Sequence, residues 1–148
     1  MITADTNVLV YVSDDDAPLK QSVAVQVMRR LAGRRQPIGL QVIGELQNVL
    51  RRKLRHPPVV AATAARNILR SFDIFLPTER AADEAMNLMA AGRLSYWDAL
   101  LVMSASEAGV SALLSEDMQD GARFGGVEII NPFGRDGLSE RAREALES

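Results

Sequence analysis

The sequence predicts an α/β fold: a central, mostly parallel sheet with helices on both faces. Three observations carry the prediction. Helical and strand-like stretches alternate along the whole chain, and strands separated by helices imply parallel pairing through crossovers. The runs Val110–Leu114 and Val127–Ile130 are compact and apolar, as strands buried on both faces are. Finally, 148 residues, 47% of them hydrophobic, make one domain-sized chain. A domain of that size buries roughly 70% of the surface its unfolded chain exposes, so a core is available without covalent staples.

Met1–Asp5 reads as the opening strand, followed by an apolar turn of helix through Asn7–Val12. Asp14, Asp15 and Asp16 offer N-caps, and Pro18 suits a first helical turn. The next helix runs to about Leu31 on a Val23, Val27, Leu31 stripe, and Gly33 ends it. Pro37–Leu40 is a short strand. A helix with Val42, Leu46, Val49 and Leu50 on one face follows and ends in the basic run Arg51–Arg55. Pro57 and Pro58 open another helix, in which Val60, Ala64, Ile68 and Leu69 recur at helical spacing. Phe72–Leu76 is β-like. A helix over about Thr78–Ala91 closes at Gly92, and Ser95 with Asp98 has capping-box spacing for a helix to about Ala108, ended by Gly109. Beyond Phe133 the sequence turns polar. Residues 1–133 therefore form the expected domain and 134–148 a polar C-terminal tail, which forms a short helix through Leu138, Ala142 and Leu146 or frays.

Composition narrows the chemistry. Cysteine is absent, which removes disulfides, thiolate metal sites and cysteine nucleophiles. His56 is the only histidine, so no mechanism can use two imidazoles as acid and base. No apolar run reaches the roughly 18 residues that span a bilayer, and no positive charge precedes the apolar N-terminal stretch, so a cytoplasmic protein without membrane association is expected. The formal charge of −2 hides segregation. Residues 20–55 hold nine of the 17 basic side chains against one acid, Glu45. That is either a patch for an anionic partner such as a phosphodiester backbone, or the solvated faces and C-terminal ends of two helices.

Four acids stand where acids are costly. Asp5 falls at the carboxyl end of the first strand and Asp117 follows the strand Val110–Leu114; ligand crevices of open parallel sheets form at that edge. Glu45 shares a helical stripe with Val42 and Val49, and Asp98 one with Leu101 and Val102. Each has a plainer reading: Asp5 with Thr6 as a cap, Asp98 as the fourth place of the capping box, Asp117 as a turn residue. Glu45 alone has no local partner. Converging carboxylates without counter-cations repel and push one another's pKa upward, and a divalent cation removes the difficulty. Hard oxygen donors select Mg²⁺ or Mn²⁺. A phosphoaspartyl phosphatase built on Asp5 is disfavoured, because Asn7 stands where a second acid is wanted and Lys20 and Lys53 are the only lysines.

In order along the chain, Ala-Asp-Thr-Asn-Val-Leu-Val-Tyr (Ala4–Tyr11), the segment Gln41–Lys53 around Glu45, Ser-Tyr-Trp-Asp-Ala-Leu-Leu-Val (Ser95–Val102), Leu-Leu-Ser-Glu-Asp-Met-Gln-Asp-Gly (Leu113–Gly121) and the closing Asn131–Phe133 resemble the motifs of PIN-domain ribonucleases, specifically VapC-type toxins of type II toxin–antitoxin systems. The resemblance spans residues 1–133 and implies a PIN-like three-layer α/β/α fold. It implies that Asp5, Glu45, Asp98 and Asp117 hold Mg²⁺, with Mn²⁺ as substitute, and that Thr6 and Ser115 are accessory hydroxyls. Asp120 is a further acid near that group. It also implies endoribonuclease activity by metal-activated water, an RNA substrate, a cognate antitoxin and a homodimer. Tyr96 and Trp97 adjoin Asp98, where a ring can stack a base. Two alternatives stand beside the toxin: a non-catalytic RNA- or protein-binding module of the same fold, and an RNA-processing nuclease outside a toxin pair.

Overall fold

A computed structural model describes residues 1–148. The elements in order are β1 (Ile2–Ala4), α1 (Thr6–Tyr11), α2 (Pro18–Gly33), β2 (Ile38–Gly39), α3 (Leu40–Arg52), α4 (Pro58–Ser71), β3 (Ile74–Phe75), α5 (Glu79–Ala90), α6 (Tyr96–Glu107), β4 (Ala112–Leu114), β5 (Arg123–Phe124), β6 (Val127–Ile130) and α7 (Glu140–Glu147). The main sheet has the order β1-β4-β6-β5. β1, β4 and β6 pair in parallel, and β5 closes the edge antiparallel to β6. β2 and β3 form a separate parallel pair, so the sheet is mostly parallel, as expected, but divided. The Gln36 side-chain oxygen accepts from Ile2 N at 2.7 Å and ties the approach to β2 onto β1.

The central strands are buried on both faces: Ala112, Leu113 and Leu114 lie within the core, as do Val127, Ile129 and Ile130. Thirty-four buried residues make one continuous core, and a small second cluster of Ala81, Ala85, Ala99 and Leu100 joins α5 to α6. Gly39 is dictated by a close approach. A Cβ there would stand 3.0 Å from the Phe75 ring and 3.1 Å from Leu101 Cδ1, so any larger residue would have to push those side chains aside.

Several expectations shift in detail. α2 starts from Ala17 with no side-chain cap; Asp14 instead accepts from Asp16 N within the preceding turn. On α4 the buried face is Ala61 and Ala65, whereas Val60 and Leu69 are exposed, because small residues let α4 lie close against α3. Of Phe72–Leu76 only Ile74 and Phe75 pair as a strand. β5 was not anticipated. The expected polar tail does not fray: Ser139 caps α7 by accepting from Ala142 N, and Leu138, Ala142, Ala145 and Leu146 are buried in the main core. Residues 134–148 therefore pack as part of the same domain. No helix is long and apolar enough to cross a membrane.

Candidate active site

Parallel pairing sets the site. Asp5 N donates to Leu114 O at 2.9 Å, and Ser115 N donates to Ile130 O at 3.0 Å, which places Asp5 and Ser115 side by side at the carboxyl edge of the sheet. Asp5 is the N-cap of α1: its Oδ1 accepts from Thr6 N at 2.6 Å, and its Oδ2 accepts from Ser115 Oγ at 3.0 Å. Ser115 Oγ also accepts from Asp117 N at 3.2 Å, so one hydroxyl fixes two of the acids. Asp5, Thr6 and Ser115 are all buried.

The helices supply the rest. Thr6 Oγ1 donates to Glu45 Oε2 at 2.5 Å, linking α1 to α3. Gln41, one turn before Glu45, donates to Glu45 Oε1 at 3.0 Å and to the Trp97 carbonyl at 2.9 Å, which joins α3 to the start of α6. Ser95 caps α6 by accepting from Asp98 N at 3.3 Å, at the spacing foreseen. Asn7 Nδ2 donates to Asp117 Oδ2 at 2.6 Å. The loop bearing Asp117 is clamped from its other side. Glu116 accepts from Tyr11 Oη at 2.5 Å and from Lys20 Nζ at 2.7 Å, and Lys20 lies over the Tyr11 and Phe133 rings.

The four acids are thus brought into one neighbourhood, with unequal burial. Asp5 is enclosed, Glu45 and Asp98 are half-buried and Asp117 is exposed. Burial pushes the Asp5 carboxyl from 3.8 up to about 6; hydrogen bonds from Thr6 N–H and Ser115 pull against it, and repulsion by Asp98 and Asp117 adds to it. Asp98 is raised by burial and by Glu45, despite its hydrogen bond with Ser95. Asp117 is raised by burial, then by Glu116 and Asp98, while Lys53 and Lys20 act the other way. Repulsion therefore runs from Glu45 through Asp98 to Asp5 and Asp117, and no ion pair of the protein includes any of the four.

The donor set suits a hard divalent cation: carboxylate and hydroxyl oxygens with no paired base. As placed, however, no three acidic side chains converge on one metal-sized position. The Asp5, Glu45 and Asp117 carboxylates each accept from a neighbouring O–H or N–H. Holding a metal requires Asp5 and its neighbours to rotate away from those donors.

Asp120 lies apart in its bonding: its carboxylate accepts from Asn131 N at 2.7 Å and holds the end of β6. Tyr96 and Trp97 separate. Tyr96 is half-buried against the α5–α6 cluster, while Trp97 is 62% exposed. His56 sits in the α3–α4 turn. Sequence reasoning passed over Gln41, Asn7 and the Tyr11–Lys20–Glu116 clamp. A glutamine one turn before a stripe glutamate was the available signal for Gln41; the clamp joins positions about a hundred residues apart and had none.

The site thus sets an acid at the end of the first strand of a mostly parallel sheet, with three more acids around that edge. The chain belongs to the PIN domain family, which it matches over residues 2–120. Among solved structures it resembles Mycobacterium tuberculosis VapC20, a sarcin–ricin-loop-cleaving toxin, at a TM-score of 0.60 and 19% identity, over 82% of this chain and 91% of that one. It is similar to a chain of Rickettsia felis VapBC2 bound to a promoter DNA fragment, at a TM-score of 0.61 and 16% identity, over 87% and 97%. VapBC-1 of nontypeable Haemophilus influenzae gives 0.55 and 15%, over 79% and 87%. No curated protein matches the chain by sequence.

Proposed function

We propose that the protein is a Mg²⁺-dependent endoribonuclease acting in the cytoplasm as the toxin of a type II toxin–antitoxin pair. The observation that carries the reading is the run of mutually repelling acids Glu45, Asp98, Asp5 and Asp117, none of them paired with a base. Such an arrangement opposes folding unless something cationic is to be held there. The fold shared with VapC20, a toxin that cuts RNA, and with components of VapBC assemblies supports the toxin assignment.

In this reading Asp5 and Asp98 hold the metal, and Glu45 and Asp117 complete its surroundings through water or orient the attacking water. A divalent cation bound there would supply a water of lowered pKa and neutralise charge on the phosphate; Mn²⁺ would serve as well. The protein's own side chains do the remainder. Ser115 and Thr6 hold the Asp5 and Glu45 carboxylates at the sheet edge, and a bound cation would take the place of those hydroxyl contacts. The Glu116 clamp steadies the loop that carries Asp117. Lys53, near enough to Asp117 to lower its pKa, and its neighbours Arg51 and Arg52 form no ion pair within the protein and are free to hold RNA backbone.

A cognate antitoxin is the expected partner, with homodimerisation of the toxin. The apolar groove between α2, α3 and α4, lined by Val25, Met28, Leu46 and Ile68 with Arg29 at its rim, suits an apolar antitoxin segment carrying an acid.

The deciding measurement is cleavage of total cellular RNA with Mg²⁺, with EDTA, and by Asp98→Asn purified identically. Cutting that requires both metal and Asp98 supports the nuclease. Equal cutting by the variant exposes a contaminant, and a folded protein that cuts nothing under any condition favours a binding module.

A further inference from the structure

We propose that the recess between α3 and the start of α6, walled by Trp97, is a subsite for one unpaired nucleobase of single-stranded RNA. The proposal rests on the nuclease reading and names how its substrate is chosen. The recess measures about 450 Å³ and is lined by Gln41, Gly44, Glu45, Gln47, Asn48 and Trp97. Glu45 belongs both to it and to the acidic group, so a base lodged there lies next to the phosphate to be cut.

Trp97 presents a large apolar face and is 62% exposed. Tyr96 packs edge-on against it at 5.0 Å and 73°, and Gln41 grips its carbonyl. A fixed indole face open to solvent is a stacking platform that any base can use. The opposite wall offers amide hydrogen bonds beside the Glu45 carboxylate. Gln47 is turned back onto the Gly44 carbonyl at 3.1 Å, which leaves the Asn48 carboxamide free to donate and accept on a base edge. An indole, amides and a carboxylate fit a base better than a phosphate, which Glu45 would repel.

Gly44 is the most telling residue. Glycine inside a helix costs about 1 kcal/mol relative to alanine. Nothing in the fold requires it at this position, since a Cβ would meet no atom within 4 Å. The room it leaves is used by nothing within the protein and opens into the recess. A flat ligand that must lie close to the α3 backbone accounts for it.

Trp97 is the only tryptophan of the chain, so emission excited beyond the tyrosine absorption band reports on the recess alone. The full-length protein is mixed by stopped flow with single-stranded RNA tetranucleotides of each base in Mg²⁺, with the anisotropy of labelled RNA followed in parallel. Saturable quenching that differs among the four bases is expected. Gly44→Leu fills the recess and should abolish the quenching without lowering Tm, because leucine favours the helix. Trp97→Ala should weaken RNA binding by about 5- to 100-fold, the loss of one stacked base. RNA binding by anisotropy with unchanged emission overturns the subsite while cleavage leaves the nuclease standing. Quenching that survives Gly44→Leu overturns it too, as does an absence of both signals. Emission that shifts with protein concentration and ignores RNA overturns it by making this face a contact between copies of the chain.

Discussion

Asp5 shows how one buried carboxylate couples stability to pH. Its pKa stands near 6 in the folded chain against 3.8 for the free side chain, so the folded state binds the proton more tightly than the unfolded one. Stability is then greatest below the unfolded value and falls as pH rises from about 4 to 6, after which the loss is complete. At neutral pH the loss amounts to about 3 kcal/mol, and Asp98 and Asp117 act in the same direction. Asp5→Asn keeps an oxygen for the Thr6 N–H and removes the charge. In urea unfolding with EDTA the variant should exceed the parent by up to about 3 kcal/mol at pH 7.5 and match it at pH 4, while losing cleavage. A variant weaker than the parent at pH 7.5 would mean that the anion is stabilised where it sits.

Among the elements, α7 and β2 carry the sharpest expectations. Leu146 is 3% exposed and lies in the core shared by the whole chain. Leu146→Ala should cost about 2–4 kcal/mol in denaturant unfolding. An unchanged midpoint would restore residues 134–148 to the status of a tail. Gly39→Ala forces a methyl against the Phe75 ring and Leu101, and overpacking of this kind should cost about 1–3 kcal/mol by the same measurement. Gly44→Ala, on the exposed face of α3, should instead stabilise. Both glycines occupy the same stretch of chain and look alike in sequence; only what stands opposite each of them separates their effects. Capping was more legible. Ser95 bonds to the main chain three residues on because a hydroxyl at that spacing meets an N–H that the helix leaves unsatisfied, and Thr78, not foreseen as a cap, does the same for α5.

For the molecule as a whole, charge segregation sorts out differently from its appearance along the chain. Of the basic residues in 20–55, Lys20 is taken by Glu116, Arg30 by Glu147 and Arg35 by Asp73, and Arg34 donates to the Glu147 carbonyl. Arg29 on α2 and the cluster at the end of α3 remain. RNA affinity should therefore fall as salt rises, and Lys53→Glu should reduce the slope of log affinity against log salt by about 0.7, the contribution of one single-strand phosphate. Anisotropy titrations from low to moderate salt measure it, and an unchanged slope would place Lys53 away from the RNA path.

The sequence by itself determined the class of fold, the order of its elements and the small set of acids worth attention. Alternating periodicity, capping spacing and strand-end position are local properties, written within a few residues of one another. Tertiary structure decided what lay between distant positions. It divided the sheet in two, added β5, drew α7 into the core, and exposed Trp97 while covering Tyr96. It also showed that α6 is buried on most of its surface, so the apolar stripe around Asp98 said little about which way that residue faces. The acids find hydroxyl and amide partners on other elements, Thr6 for Glu45 across 39 residues and Ser115 for Asp5 across 110, and no local pattern encodes such a pairing. A side chain's spacing decides which face of its own element it occupies; only the packed neighbours decide whether that face meets solvent, a core or another charge.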